Sequence, residues 1–176
     1  SEGGRAAGAR NMNCELRPIA AADTEAVLAL WREVFPQYED PLRPQRAPRI
    51  NVERKLAQAD GLFWGAWRDA RLLGTAMAGW DGHRGWLYAV GVAPQVRGQG
   101  VARALVAHAE RELAARGCPK VNLQVLTDSA GALAFWKALG YVPDPTARGL
   151  RTRSTRLFGV VLSTVTNPVF SRILLA

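Results

Sequence analysis

The chain has 176 residues, 48% of them apolar and 22% charged, which suits one globular domain with a sizeable core and argues against a disordered segment. Its formal charge of +8 does not mark a nucleic-acid binder, because the charge sits at the ends. Arg148, Arg151, Arg153, Arg156 and Arg172 give residues 146–176 a charge of +5 with no acid, Arg5 and Arg10 against Glu2 give residues 1–11 +1, and about +2 is left for the body.

Residues 1–11 are rich in Gly, Ala and Arg with no apolar run, so they read as a flexible lead with no signal peptide, and Met12 is a candidate natural start. Cys14–Ile19 is expected to be a first strand. Val27, Leu30, Trp31, Val34 and Phe35 then recur at helical spacing, with Asp23 and Thr24 placed to cap. Pro36, Pro41, Pro44 and Pro48 make an irregular loop that carries Glu39 and Asp40, and Asn51 is placed to cap a short helix through Gln58. Strands over Leu62–Arg68 and Leu72–Trp80 follow, then a turn at Asp81–Arg84 and an apolar strand over Trp86–Val92 expected at the centre of the sheet. Val101, Leu105, Val106, Ala109 and Leu113 mark a helix ending at Gly117, Val121, Leu123 and Val125 a buried strand, and Ala132, Phe135, Trp136 and Leu139 a last helix stopping at Gly140. One or two final strands are expected beyond Pro143. This order suits an α/β mixed sheet with helices on both faces. The apolar stretch Leu157–Ala176 is interrupted by Asn167, Pro168 and Arg172, which speaks against a membrane span.

Cys14 and Cys118 are too few for a disulfide framework, and His83 and His108 stand apart without metal-ligand spacing. A reducing cytoplasmic setting and no metal are the expectation.

The most informative stretch runs from Val92 to Ala102. A central strand ends, a loop turns, and an amphipathic helix begins within the glycines. Gly98 and Gly100 let a backbone approach a ligand closely, and the unpaired N–H groups of a first helical turn point at the same place. With the positive end of the helix dipole and the forked donors of Arg97, this suits a pyrophosphate. A dinucleotide fingerprint needs a third small residue where Arg103 stands, and a Walker loop needs Gly-Lys-Ser/Thr; neither is present. An isolated Gly-x-Gly also has a bland reading, a turn before a helix with no ligand.

The arrangement as a whole resembles the GNAT superfamily of N-acetyltransferases. Gln95-Val96-Arg97-Gly98-Gln99-Gly100 matches its acetyl-CoA loop of the form Gln/Arg-x-x-Gly-x-Gly/Ala, followed in kind by Val101, Ala102 and Leu105. Ser129 to Tyr141 resembles the family's Asn-x-x-Ala-x-x-x-Tyr-x-x-x-Gly-Phe segment, with Ala132, Gly140 and Tyr141 in register. Asp81-Gly82-His83-Arg84-Gly85 and Gly117-Cys118-Pro119-Lys120 are similar to the YpeA-type bacterial branch. The resemblance covers roughly residues 13–142. It implies a mostly antiparallel sheet of six to seven strands with about four helices and a domain over residues 12–145. In the tail, 146–176, the apolar Val160, Leu162, Val165, Val169, Phe170, Ile173 and Leu174 are expected to complete the sheet or to bury against a second subunit as a homodimer contact. It also implies acetyl-CoA as cosubstrate and an amine as acceptor. Arg97, Gly98, Gln99, Gly100, Val101 and Ala102 would take the pyrophosphate, Val90, Gly91 and Val92 the pantetheine, and Ser129 would keep the oxygen of the family's asparagine.

The chain departs from the family where the chemistry is usually placed. The tyrosine that serves as general acid is Trp136 here, and an indole releases no proton near neutral pH. A glutamate carried by ribosomal-protein acetyltransferases on the fifth strand falls at Gln124, leaving Tyr88 as the titratable side chain of the central strand. Asp81, His83 and Asp128 are more simply turn and cap residues, and Glu39 and Asp40 loop residues. Trp136 and Tyr88 are the catalytic candidates, with a water chain as the route for the amine proton. The alternative function is a CoA-binding sensor or scaffold with weak or lost catalysis.

Overall fold

The computed structural model describes residues 13–126, 129–143 and 159–163. In chain order they form β1 (Glu15–Pro18), α1 (Thr24–Val34), α2 (Pro48–Ala57), β2 (Phe63–Arg68), β3 (Arg71–Trp80), β4 (Gly85–Val92), α3 (Val101–Ala115), β5 (Val121–Leu126), α4 (Ala130–Ala138), β6 (Val142–Pro143) and β7 (Gly159–Ser163). The strands make one seven-stranded sheet in the order β1-β2-β3-β4-β5-β7-β6. Each neighbouring pair is antiparallel except β4–β5, which is parallel. The mixed, mostly antiparallel sheet with four α-helices is the architecture expected from the sequence.

Two helices take each face, and the periodicity of the strands shows why. An added side-chain carbon at Gly91 would strike Val34 and Phe35 at the end of α1, while one at Gly74 would reach Leu105 of α3. On the α1 face, Val27 and Trp31 are buried, and the Trp31 ring meets that of Phe63. On the α3 face, Leu105, Ala109 and Leu113 are fully buried and His108 meets the ring of Trp64 edge-on. Burying each such leucine contributes on the order of 1.5–3 kcal/mol. α4 joins the α3 side, because Trp136 packs on Tyr141, whose hydroxyl donates to Glu110 of α3 at 2.7 Å.

Three helix starts differ from the sequence reading. Asp23 occupies the cap position of α1 without a side-chain cap bond; its carboxylate accepts the Ala20 N–H at 2.8 Å and a forked pair from Arg17 at 2.8 and 2.9 Å. α2 begins at Pro48, ahead of Asn51, because a proline at the first helical position gives up no hydrogen bond. Asn51 therefore lies inside the helix and donates to the Arg46 carbonyl at 2.8 Å. Ser129 stands at the start of α4 without a side-chain cap bond, and its contribution is its carbonyl, which accepts from Leu133 at 3.0 Å. β7, residues 159–163, enters the sheet between β5 and β6. The apolar positions from Val165 to Leu174, read as a subunit contact, lie outside the described residues.

Candidate functional site

β4 and β5 separate partway along their length. They pair at Gly85–Val121, Trp86–Asn122 and Leu87–Leu123 and no further, although β4 runs on to Val92 and β5 to Leu126. Beyond Leu123, β5 stays paired on its other edge with β7, through Val125–Val160 and Leu126–Gly159. The parallel pair thus opens into a gap whose apex lies at Leu87 and Leu123. Trp86 and Asn122 share a face at that apex, and the two-residue period of a strand sets Tyr88 and Gln124 on the same face, one on each lip. Tyr88 is 48% exposed, and Gln124 is exposed as well.

The β4 lip carries a bulge. Thr75 pairs with Gly91 and Met77 with Tyr88, so Ala89 and Val90 together oppose Ala76. Ala89 takes φ of +45°, a conformation that a residue with a Cβ holds only when its surroundings fix it. Here the fixing group is Thr75, whose hydroxyl donates to the Ala89 carbonyl at 3.0 Å while accepting the indole N–H of Trp31 at 3.0 Å. Past the bulge the Ala93 N–H turns to Leu73 of β3 at 2.8 Å, so alternation places the N–H groups of Val92 and Val90 on the edge that β5 has left. Val90, Gly91 and Val92 are all half-buried along this lip.

The gap opens toward the glycine loop. Gly98 has φ of +76° and Gly100 of +86°, and Gly100 forms the left-handed entry to α3. A side-chain carbon added at Gly98 would meet nothing within 4 Å, which leaves space for a ligand. The first helical hydrogen bond runs from the Ala104 N–H to the Gly100 carbonyl at 3.0 Å, so the N–H groups of Val101, Ala102 and Arg103 precede it. No acid stands in that first turn, and Arg97 and Arg103 are both exposed beside it. The residues present fit a diphosphate: open space over a glycine, aligned N–H groups and two guanidinium groups.

Gln99 plays a different part. Its amide donates to the Gln95 carbonyl at 3.2 Å and accepts from Arg68 at 3.4 Å, so its side chain braces the loop against the β2–β3 turn. Gln95 in turn donates to Glu33 at the end of α1 at 3.0 Å. Sequence reasoning had no signal for either brace.

The remaining candidates spread out. Trp136 is buried, 7% exposed, between Phe135 and Tyr141 at ring distances of 5.1 and 5.0 Å. Asp81 closes the turn between β3 and β4, accepting the N–H groups of His83 and Arg84 at 2.7 and 2.6 Å. Glu39 pairs with Arg32 at 3.2 Å and Asp40 with Arg43 at 3.6 Å, so both loop acids are neutralised locally. Asp128 lies outside the described residues. Burial raises the Tyr88 phenol above its ordinary range, and the negative charge of Asp81 adds to the effect. Among the described residues no group of three His, Cys, Asp or Glu is placed to hold a metal. No helix among them is long and apolar enough to cross a membrane.

The opening parallel pair lies beside an α3 N-terminus whose residues fit a diphosphate, and this frame suits an acyl-CoA-type transferase. The sequence profile of the acetyltransferase (GNAT) family matches residues 24–141. An acetyltransferase of Pectobacterium atrosepticum is 40% identical over 127 residues, which cover 72% of this chain and 86% of that protein. The chain belongs to the GNAT acetyltransferase family. Solved structures share the fold. PaiA N-acetyltransferase from Thermoplasma acidophilum in complex with coenzyme A aligns at a TM-score of 0.70 and 15% identity, over 85% of this chain and 97% of that one. The ribosomal-protein alanine N-acetyltransferase of Escherichia coli aligns at 0.61 and 18%, over 85% and 90%.

Proposed function

We propose that the chain transfers an acetyl group from acetyl-CoA to a primary amine by direct attack. The observation that carries this reading is the gap between β4 and β5, which leads from the α3 N-terminus to an exposed tyrosine at its apex. Acetyl-CoA would supply a thioester, whose acyl carbon accepts the amine lone pair as the C–S bond breaks. In this reading the N–H groups of Gly98 and of Val101 to Arg103, with Arg97, hold the diphosphate. Val90 and Val92 hydrogen-bond the pantetheine arm, and one of their N–H groups polarises the acyl oxygen. Ser129 and Ala102 border the same ligand.

Tyr88 is held protonated by its surroundings, so it orients the incoming nitrogen as a hydrogen-bonding group rather than removing its proton. Gln124, on the facing lip, accepts from the same nitrogen without titrating. The amine proton leaves through water in the open side of the gap. The departing thiolate has a parent pKa of only about 8.5, so it leaves without a strong acid. Trp136 then serves as the wall near the sulfur. The free thiols of Cys14 and Cys118 agree with a cytoplasmic setting. The similarity of the turn sequence 81–85 and the segment 117–120 to the YpeA-type branch supports assigning the chain to that branch.

Calorimetric titration with acetyl-CoA tests the donor site. One site per chain is expected, and Gly100→Asp should abolish it, because bulk and negative charge at the left-handed entry to α3 repel a diphosphate. Unchanged affinity in that variant would remove the site assignment. Binding without acetylated product from any amine would leave a CoA-binding module in place of an enzyme.

A further inference from the structure

A second cleft adjoins the apex of the gap on its α2 side. It has a volume of about 360 Å³ and is lined by Gln58, Asp60, Trp80, Asp81, Trp86 and Tyr88. Gly79 keeps it open beneath Tyr88, since a side-chain carbon there would come within 3.3 Å of the phenol ring. Trp80 and Trp86, half-buried, and Tyr88, exposed, give it three ring systems, while Asp60 and Asp81 give it two carboxylates.

The residues that line this cleft include two acids and no base. The ammonium of Lys55 is buried below it and fully engaged, donating to Asp60 at 2.6 Å, Gln58 at 3.1 Å and the Ala78 carbonyl at 2.6 Å. Lys55 answers Asp60, and Arg116 donates to the Asp60 carbonyl at 2.8 Å, which leaves Asp81 as the lining carboxylate outside the ion pairs found among the described residues. Both turn hydrogen bonds of Asp81 run to its Oδ1. Arg84 is turned to the carbonyl of His83, at 2.9 Å. After burial, the negative charge of Asp81 raises the Tyr88 phenol further above its ordinary range.

Aromatic faces with an unbalanced carboxylate recognise a cation. Tyr88 belongs both to this cleft and to the lip where the attacking nitrogen would sit, so the two places are continuous. A strand advances about 3.3 Å per residue, which sets the bulge at Ala89 roughly 10 Å beyond Trp86. We propose that the cleft binds a second positive charge of the acceptor, and that the acceptor is an aliphatic amine bearing two cationic nitrogens separated by a chain of about that reach. One nitrogen lies at the bulge and loses its proton to water. The other stays an ammonium between Trp80, Trp86 and Asp81. The inference rests on the acetyl-transfer reading for the role of the first nitrogen, and on the cleft alone for the second.

The test uses the full chain and two probes, 1,6-diaminohexane and hexylamine. Titration of each is followed by the indole N–H signals of an ¹⁵N-labelled sample, first without acetyl-CoA. The diamine should shift the signals of Trp80 and Trp86 and bind at least about tenfold more tightly than hexylamine, a preference worth about 1.4 kcal/mol. Asp81→Asn, which keeps an oxygen for the turn, should remove most of that preference, and Trp86→Leu should weaken the diamine without touching the turn. With acetyl-CoA present, kcat/KM should favour the diamine by a similar factor. Equal binding of the two amines, or no shift of either tryptophan, would overturn the proposal. Acetylation of hexylamine but not of the bound diamine would overturn the proposed acceptor, whereas diamine binding with no acetylated product from any amine would overturn the acetyl-transfer reading and leave the cation cleft standing.

Discussion

Trp31 donates its indole N–H to Thr75 at 3.0 Å, and the Thr75 hydroxyl donates in turn to the carbonyl of Ala89 at the same distance. One buried hydroxyl thus ties α1 to the bulge that shapes the β4 lip. Ala89 holds a left-handed conformation next to the strand residues assigned to the pantetheine. The geometry of that lip depends on a helix residue 44 positions from the threonine.

Thr75→Val keeps the shape and removes both bonds, leaving a buried indole N–H and a carbonyl without their partner. A loss of about 1–3 kcal/mol in unfolding free energy is expected. The bulge should relax as well, lowering kcat more than it weakens acetyl-CoA binding. Denaturant unfolding beside steady-state kinetics checks both, and a variant that loses stability with kcat intact would assign Thr75 to the core alone.

Two glycines on the ligand path should respond differently to alanine. At Gly91 the new carbon would stand 2.6 Å from Val34 and Phe35, so the end of α1 must move, at about 1–3 kcal/mol of stability. At Gly98 it would meet nothing within 4 Å, but φ of +76° costs an L residue about 1–2 kcal/mol. Gly91→Ala should lower the melting temperature with little effect on the diphosphate site, and Gly98→Ala should also weaken coenzyme A. Melting curves with and without coenzyme A separate the two.

Tyr141 and Glu110 form a buried pair on the α3 side, 2.7 Å apart, at 1% and 6% exposure. Burial, then the neighbouring charge of Glu110, pushes the phenol far above its ordinary range, so it remains a donor at every working pH. Tyr141→Phe deletes a hydrogen bond to a charged group and should cost about 1.5–3 kcal/mol. Because Trp136 packs on this ring, its fluorescence should change in the same variant.

His108 faces the edge of Trp64 at 5.2 Å, and burial holds its pKa below the ordinary value of 6.5; Arg111 adds to that and Glu112 opposes it. The unfolded chain therefore takes up a proton at a higher pH than the folded one. This part of the stability is complete above about pH 6.5 and is lost as pH falls from there toward the folded-state pKa. Melting temperatures from pH 7.5 to 5 should decline more steeply in the parent than in His108→Gln. Parallel profiles would remove His108 as the source.

Periodicity carried most of the architecture. Alternation in Val121, Leu123 and Val125, and the helical spacing of Leu105, Ala109 and Leu113, each follow from a local rule that one face must be buried. The glycine loop was legible for the same reason, since φ beyond +70° at Gly98 and Gly100 is a local demand on the backbone. Ser129 misled because a capping residue type does not ensure a capping bond, and Asn51 because Pro48 had a stronger local claim on the helix start.

By itself the sequence determined most of the strands and helices, the glycine turn at the start of α3 and the family they belong to, all through patterns close along the chain. Only the tertiary structure decided that β5 leaves β4 after Leu123 while remaining with β7, that Trp31 secures the bulge through Thr75, and that Asp60 and Asp81 share a cleft with Tyr88. Those relations join residues far apart in the chain. They follow from how sheet register and side-chain volume are settled together in three dimensions, which no local pattern encodes.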